Sequence, residues 1–273
     1  MSSPQDASRG QLRQIDVPGA SLTYLDAASR RRESEASAPI VFMHANTGTG
    51  QSWRAQLDYF SAHGHRALAL DRCGWGGSRL LPGGSRISEA DVLTLFHREL
   101  GLPPFHLVAA SGSAFGAIEY AARPLAPLRS LVLLATMGPL GEPEVREFAD
   151  QISLGRAGRD LPTAVRELSA GYRGRNPGGA RRWSTIAASA RNGSQPAPNA
   201  QTTNDYTTLA QIDLPTLVIA GGADLISPPA MMREWAAKLP GACLEVVDEA
   251  GHALAWERPE KVNELVHRFI SDG

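Results

Sequence analysis

Three residues that lie far apart in the chain, Ser111, Asp224 and His252, have the side-chain types that nucleophilic catalysis by a hydroxyl requires. A serine hydroxyl attacks a carbonyl well only when a histidine takes its proton and a carboxylate orients that histidine. Each of the three follows a short apolar stretch: FHLVAA, PTLVIAGGA and CLEVVDEA respectively, the last of these followed by Gly-His. Functional groups of open parallel sheets lie beyond the carboxyl ends of the strands, so these positions predict a nucleophile, an acid and a base.

The residues around Ser111 favour a sharp turn between a strand and a helix. Gly112 follows at once, a helix is predicted to begin near Ser113, and Ala109 and Ser113 are small enough to let the two backbones pass. The helix N-terminus offers the Gly112 N–H to a developing oxyanion. Taken alone, Ser111 could also be a small residue that caps a helix.

Two further choices concern the acid and the first loop. Asp248 is closer to His252 in sequence than Asp224 is. However, Asp248 lies at the end of a predicted strand and not in the loop that follows that strand, so Asp224 is favoured as the acid. His44 is predicted to form a hydrogen bond within its own loop, HANTG, and not to act as a base.

The elements that must position these residues are short apolar strands alternating with helical segments. Strands that are apolar on both faces and separated by helices belong to a parallel sheet covered on both sides. The fold class is therefore α/β, with a mostly parallel central sheet and helices on both faces; residues 13–27 add two antiparallel strands joined by Pro-Gly. Strands are predicted at 39–46, where the end of the run begins the turn HANTG, and at 65–71, 105–110, 129–135, 215–220 and 243–248. Helices are predicted at 51–61, 88–100, 114–122, 228–239 and 259–270.

The alternation breaks over residues 138–207. Amphipathic pieces such as EPEVREFADQISL and LPTAVRELSAGY, followed by the polar stretch NGSQPAPNAQTTND, predict a small helical cap with a mobile loop. We expect a core of residues 1–137 and 208–273 with this cap inserted. Trp183 could line a substrate cleft from the cap or could equally pack within it.

Taken together, these stretches resemble the α/β-hydrolase family over nearly all of the chain outside the insertion. The resemblance rests on the HANTG loop, the serine turn, LPTLVIAGGADLISPP and EAGHALAWERPEKV, which occur in the family's order. It implies an α/β-hydrolase fold and a nucleophile, acid and base order of Ser111, Asp224 and His252. It also implies that the backbone N–H of Asn46 completes an oxyanion hole with Gly112. The family usually has glycine where this chain has Ala45, Ala109 and Ser113.

Composition excludes several other classes. With 27 basic and 28 acidic residues the chain lacks the field that attracts nucleic acid or an anionic membrane. Its polar start and the lack of a long apolar run predict a soluble protein, and its two cysteines indicate a cytoplasmic one. The seven histidines lack metal-binding spacing and GWGGS lacks dinucleotide-binding spacing, so no metal and no cofactor are expected. The partner is a small-molecule substrate; the oligomeric state is not indicated.

These residues predict a serine hydrolase that cleaves a carboxylic ester or lactone through an acyl-enzyme on Ser111. One alternative keeps the fold and uses His252 and Asp224 for cofactor-independent oxygenation or for carbon–carbon bond hydrolysis. A further alternative is a protein with a hydrolase-like fold that binds a ligand without catalysis. The sequence does not identify the substrate.

Overall fold

A mostly parallel sheet passes through the protein, whose computed structural model describes residues 10–31, 37–84, 87–124, 126–152, 158, 160–198 and 204–272. Apolar and β-branched residues dominate the central strands, which are buried on both faces. The strands are β1 (Gln11–Val17), β2 (Ala20–Ala27), β3 (Ser37–Met43), β4 (His65–Leu70), β5 (Arg79–Leu80), β6 (Phe105–Ala110), β7 (Leu128–Leu134), β8 (Thr216–Gly221) and β9 (Cys243–Val247).

The strand order is β1-β2-β4-β3-β6-β7-β8-β9, with the short β5 pairing with β2. All neighbours from β4 to β9 along this path are parallel, whereas β1, β2 and β5 are antiparallel. The predicted sheet and its antiparallel start are confirmed. Strand β3 ends at Met43, so His44, Ala45 and Asn46 lie in the loop that the HANTG stretch predicts.

Helices cover both faces of this sheet. In chain order they are α1 (Arg54–Ala62), α2 (Glu89–Leu100), α3 (Ser113–Ala121), α4 (Pro143–Ile152), α5 (Thr163–Glu167), α6 (Ala170–Arg175), α7 (Pro177–Ser189), α8 (Tyr206–Ala210), α9 (Pro229–Ala236), α10 (Leu254–Glu257) and α11 (Pro259–Asp272). A 3-10 turn, Gly50–Trp53, leads into α1.

Local signals account for where the helices begin and end. A capping box at Ser88 and Asp91 starts α2, and Gly101, with φ of 57°, ends it in the left-handed region. The sequence predicted α9 to extend to Leu239, but the helix stops at Ala236. Pro240 disfavours helical backbone at the residue before it, which explains the earlier end.

Two apolar layers hold the helices against the sheet. In β6 the alternating side chains divide between them: Leu107 and Ala109 pack in the layer of α2, α3 and α9, whereas Val108 packs in the layer of α1 and α11. Trp235 of α9, a fully buried tryptophan, belongs to the first layer. Because both faces of β6 are packed in this way, the residue that follows it is held at the carboxyl edge of the sheet.

The chain between β7 and β8 is helical in most of its described residues, from α4 to α8. The amphipathic stretch around residue 167 is split: α5 ends at Glu167 with an extended Leu168 as its C-cap, and the Ser169 hydroxyl caps α6. Residues 192–198 of the predicted mobile loop lack regular structure, and residues 199–203 lie outside the described residues, as does the predicted polar start at 1–9. No described helix is both long and apolar enough to cross a bilayer.

Candidate active site

Ser111 lies on the turn that joins β6 to α3, in a strained backbone conformation. Its φ is 54°, in the left-handed region that residues with a side chain rarely adopt. The turn is fixed on both sides, since the Ser111 N–H donates to Leu134 O at 2.8 Å and its carbonyl accepts from Ala114 N at 3.0 Å. The side chain is half-buried. Such a strained conformation persists only where the surrounding contacts hold it in place. In this turn the conformation directs the Ser111 hydroxyl away from the sheet.

The close packing of this turn explains the small residues around it. Ala109 and Ser113 are fully buried. The Ser113 hydroxyl accepts the Ala110 N–H at 3.0 Å and lies 3.0 Å from the Met43 carbonyl oxygen. The serine that departs from the family pattern is thus accommodated with its hydroxyl satisfied.

His252 joins Ser111 to Asp224 through both of its ring nitrogens. His252 Nε2 is 2.8 Å from Ser111 Oγ, and Nδ1 is 2.9 Å from Asp224 Oδ2. The other carboxylate oxygen, Oδ1, accepts the backbone N–H groups of Ile226 at 2.7 Å and Ser227 at 3.0 Å. The structure therefore brings the three predicted residues together in the predicted order of contact.

The competing carboxylate is elsewhere, since Asp248 is exposed to solvent beyond β9. The Asp224 side chain, in contrast, is fully buried. This contrast follows from the loop after β8, whose backbone N–H groups turn inward and fix the carboxylate.

The electrostatics of the site favour a charged imidazolium. Burial lowers the pKa of His252, but the Asp224 carboxylate, through its charge and its hydrogen bond, outweighs burial, and Glu167 adds to its effect. The net result is a pKa of His252 above its ordinary value of 6.5. A histidine of this kind is well suited to hold a proton taken from a serine hydroxyl.

The loop after β3 lies beside Ser111 and is held by its side chains. His44 is buried, contacts Ala45 O through Nδ1 at 2.7 Å and accepts the Arg72 N–H through Nε2 at 3.0 Å. Burial and then Arg72 lower the pKa of His44 to about 3, so it is neutral. This agrees with the structural role predicted for it. Trp75 Nε1 donates to Asn46 O at 2.6 Å and fixes the next peptide.

Asn46, in the loop after β3, lies against Gly112, the residue that follows Ser111. A Cβ atom on Gly112 would come within 2.4 Å of Asn46 Oδ1, so glycine is needed for the close approach. Neither residue's backbone N–H donates to another group within the described part of the chain. Two unpaired N–H groups beside a candidate nucleophile could stabilise a developing oxyanion.

An apolar pocket opens beside His252. Its walls are mainly alanine, leucine and tryptophan side chains, contributed by the loop after β3, the end of β6, helix α7 and the segment after His252; they include Ala45, Trp53, Ala110, Leu134, Trp183 and Trp256. Trp183, predicted as a possible lining residue, is 3% exposed and packs on Trp256 with ring centroids 5.6 Å apart. It therefore lines the pocket, and it also packs with Leu168 and Tyr172 of the inserted segment.

Glu167 at the end of α5 is a site residue that the sequence did not reveal. Its Oε2 accepts the Thr47 hydroxyl at 2.7 Å and the Trp183 Nε1–H at 3.2 Å, and Oε1 accepts from Arg166 at 3.2 Å. Its carbonyl oxygen accepts the N–H of Ala253, the residue after His252. This buried carboxylate joins the inserted segment to both loops of the site.

A second buried carboxylate, Glu257, anchors the same segment. It accepts the Ser169 N–H at 2.9 Å, the Ser169 hydroxyl at 2.6 Å and the Gly251 N–H at 3.0 Å. Burial outweighs these hydrogen bonds and raises the pKa of Glu257. Helix α6 is consequently fixed to the residue that precedes His252.

The other candidate chemistries find less support in the described residues. Cys73 is buried, and burial, reinforced by Glu89, raises the pKa of its thiol to about 12, so it is not a thiolate. No group of three or more metal-ligating side chains that could share an ion is found among the described residues.

The comparisons with known proteins agree with this geometry. The chain is 30% identical to the non-heme chloroperoxidase CPO-A1 of Kitasatospora aureofaciens over 255 residues, which cover 85% of this chain and 92% of that one. A thermophilic esterase from Thermogutta terrifontis has a similar structure, with a TM-score of 0.76 and 23% identity over 96% of this chain and 98% of that one. The enol-lactonase of Burkholderia xenovorans LB400 has a TM-score of 0.70 and 21% identity over 95% of this chain and all of that one.

At these identities the two structural likenesses establish the fold. The family model described as the alpha/beta hydrolase family matches residues 40–265, which include the serine turn, the loop after β8 and the segment around His252. With the strand order, the strained serine and this match in agreement, the chain belongs to the alpha/beta hydrolase family.

Proposed function

We propose that the protein is a serine hydrolase that cleaves a small carboxylic ester or lactone through an acyl-enzyme on Ser111. The observation that most supports this is the hydrogen-bonded path from Ser111 Oγ through His252 to Asp224, which begins at a serine held at φ 54°. A serine that only caps a helix needs neither the strained backbone nor a buried histidine and carboxylate behind it.

In the first half of the reaction, Ser111 Oγ attacks the substrate carbonyl carbon while His252 Nε2 takes its proton. The carbonyl oxygen becomes an oxyanion that accepts hydrogen bonds from the N–H groups of Gly112 and Asn46; one such donor contributes about 100- to 1,000-fold in rate. Asp224 holds Nδ1–H and stabilises the imidazolium. Collapse of the intermediate breaks the carbon–oxygen bond, and His252 returns its proton to the leaving alcohol.

In the second half, a water molecule attacks the acyl carbon of Ser111 with His252 as the base. The same N–H groups stabilise the second oxyanion, and collapse releases the carboxylic acid and regenerates the serine hydroxyl. For a lactone, the alcohol and the acid are parts of one product. None of these steps requires a cofactor.

The pocket favours a small substrate with an apolar or aromatic part. Tryptophan and alanine side chains line it, and Ser52 and His252 contribute polar groups. An aromatic or short aliphatic acyl group would bury apolar area against Trp183 and Trp256. The similarity to an esterase and to an enol-lactonase supports the same substrate class.

The chloroperoxidase similarity favours a second candidate activity from the same intermediate. If hydrogen peroxide replaces water in attacking the acyl-enzyme, the products are free Ser111 and a peroxy acid. The peroxy acid then oxidises a halide ion to hypohalous acid and becomes the carboxylic acid. This halogenation needs Ser111, and it needs a carboxylic acid or ester as acyl donor and peroxide as oxidant.

Intact-mass measurement after exposure to a fluorophosphonate tests the proposal, with the native chain and Ser111→Ala side by side. We expect one adduct on the native chain and none on the variant, followed by hydrolysis of p-nitrophenyl esters or small lactones that the variant lacks. Bromination of a phenol with acetate, peroxide and bromide, again lost in the variant, would add the second activity.

Two results would contradict the serine mechanism. An absence of adduct on both chains would leave Ser111 as a small residue in a turn. Oxygen uptake with a hydroxylated heteroaromatic compound, or carbon–carbon cleavage, that persists in Ser111→Ala would instead support the use of His252 and Asp224 alone.

A further inference from the structure

Four of the seven histidines lie together at the amino ends of the parallel strands, at the edge of the sheet opposite the active site. His65 begins β4, His106 lies at the start of β6, His63 follows α1 and His267 lies on α11. Their ring centroids are 4.9 Å apart for His63 and His267, 6.2 Å for His65 and His267, and 6.3 Å for His65 and His106.

These rings line a polar pocket together with two arginines. Arg31 follows β2 and Arg129 lies in β7; both are exposed, and neither forms an ion pair within the described residues. No aspartate or glutamate is found among the described residues that line the pocket, whereas the serine side chains of Ser37, Ser130 and Ser271 are. The pocket is therefore basic and offers several hydrogen-bond donors.

The histidines are oriented through their Nδ1 atoms. His65 Nδ1 donates to Ala38 O at 2.8 Å and His63 Nδ1 donates to Tyr59 O at 2.7 Å, so in these two rings Nδ1 carries the hydrogen. His106 Nδ1 contacts Ser130 Oγ at 2.8 Å and His267 Nδ1 contacts the Tyr59 hydroxyl at 2.9 Å. No Nε2 atom of these four rings forms a hydrogen bond with the described residues, and in each protonated ring Nε2 carries a hydrogen that it can donate.

Burial, and then the proximity of neighbouring basic groups, opposes the protonation of His65, His106 and His267. Burial lowers the pKa of His65 and His267, with neighbouring histidines and Arg31 adding to the effect. Burial, then His65 and Arg129, lower the pKa of His106 to about 4. An anion placed among the rings would offset this repulsion, so its binding and proton uptake would favour each other.

A metal ion is the alternative ligand for histidine rings whose Nε2 lone pairs are free. The geometry does not favour it, because no three histidine, cysteine or acidic side chains among the described residues are placed to share an ion. The two arginines would also repel a cation.

We propose that this pocket is a second binding site, separate from the catalytic centre, that takes a small divalent oxyanion together with one or more protons. Arg31 and Arg129 supply the fixed positive charge, and protonated Nε2–H groups of the histidines supply additional donors. The proposal is independent of the reaction at Ser111.

Titration calorimetry with inorganic sulfate at about pH 6 and about pH 8 tests the proposed anion site. Sulfate carries two negative charges at both pH values, so any dependence of its affinity on pH comes from the protein. Chloride holds the ionic strength constant. We expect tighter binding at the lower pH, and enthalpies measured in two buffers of different ionisation enthalpy should show net proton uptake. Arg129→Gln should weaken binding about tenfold, as the loss of one charge-assisted hydrogen bond implies.

The matched control is Arg98→Gln, which removes an exposed arginine that pairs with Glu99 on α2 and does not line the pocket. It should bind sulfate as the native chain does, and melting temperatures without sulfate check that both variants fold. The proposal is overturned if sulfate does not bind at either pH, if its affinity is the same at both, or if Arg129→Gln and Arg98→Gln behave alike.

Discussion

Replacing Asp224 by asparagine should reverse the hydrogen bond that orients His252. Asp224 Oδ1 accepts the N–H groups of Ile226 and Ser227, while Oδ2 faces His252 Nδ1. In the variant, the amide oxygen must take the place of Oδ1. If the amide NH₂ group faced Ile226 and Ser227 instead, their backbone N–H groups would have no acceptor, at a cost of about 1–3 kcal/mol each. The amide NH₂ therefore faces His252 and forces Nδ1 to accept.

The consequence for Ser111 is a histidine with its hydrogen on the wrong nitrogen. With Nδ1 as acceptor, the neutral ring carries its hydrogen on Nε2 and cannot take a proton from Ser111 Oγ, 2.8 Å away. Where this tautomer is imposed on a serine, histidine and aspartate triad, kcat falls by about 10⁴, which corresponds to about 5.5 kcal/mol of activation free energy. We expect a loss of that size in Asp224→Asn, with KM nearly unchanged.

The assay is steady-state hydrolysis of a p-nitrophenyl ester, with Asp248→Asn as the matched control. Asp248 is exposed and lies closer to His252 in sequence, so its variant should retain the native rate. The proposed role of Asp224 would be refuted if Asp224→Asn kept more than about a tenth of the native kcat while folded, or if Asp248→Asn lost as much activity.

Three further outcomes are expected. The reaction needs a neutral His252, and the Asp224 carboxylate raises the pKa of His252, so kcat/KM should rise with pH through a midpoint above 6.5. Glu167→Gln should move that midpoint to lower pH. An unchanged pH profile in this variant would refute the influence of Glu167 on His252. Gly112→Ala should lower kcat by about 100- to 1,000-fold by displacing Asn46, and Asn46→Gly in the same chain should restore part of it. The pKa of His106 is lowered to about 4 in the folded chain, so the neutral ring is favoured there. The free energy of unfolding, measured in urea, should therefore decrease by up to about 3 kcal/mol as the pH falls from about 6.5, and the decrease should be smaller in His106→Asn.

The positions of the three candidate catalytic residues could be predicted because each depends on local sequence. An apolar strand followed by small residues fixes Ser111 at the edge of the sheet, and the loops after β8 and β9 follow strands of the same kind. The order of parallel strands then brings these loops together, whatever the rest of the chain does. For this reason the sequence distinguished Asp224 from Asp248 without knowledge of any distance.

Contacts between loops were predicted less well than the strand ends themselves. At the predicted turn after β3, His44 accepts the Arg72 N–H and so fixes this loop to the residues that follow β4. That interaction joins two loops, and a local pattern of apolar residues contains no information about it. The Ser113 hydroxyl is similar, since only the structure reveals the Ala110 N–H and Met43 carbonyl that satisfy it.

Glu167 could not have been found from local sequence. It lies in an amphipathic stretch, where a charged residue next to Arg166 ordinarily faces solvent, yet it is 4% exposed and bonded to Thr47, 120 residues earlier in the chain. Its burial depends on how the segment after β7 meets the loop after β3. The same carboxylate oxygen also accepts the Trp183 Nε1–H, and this hydrogen bond orients Trp183, which lines the apolar pocket. The shape of the apolar pocket therefore depends on contacts between distant segments, whereas the proposed chemistry depends on strand ends that the sequence marks locally.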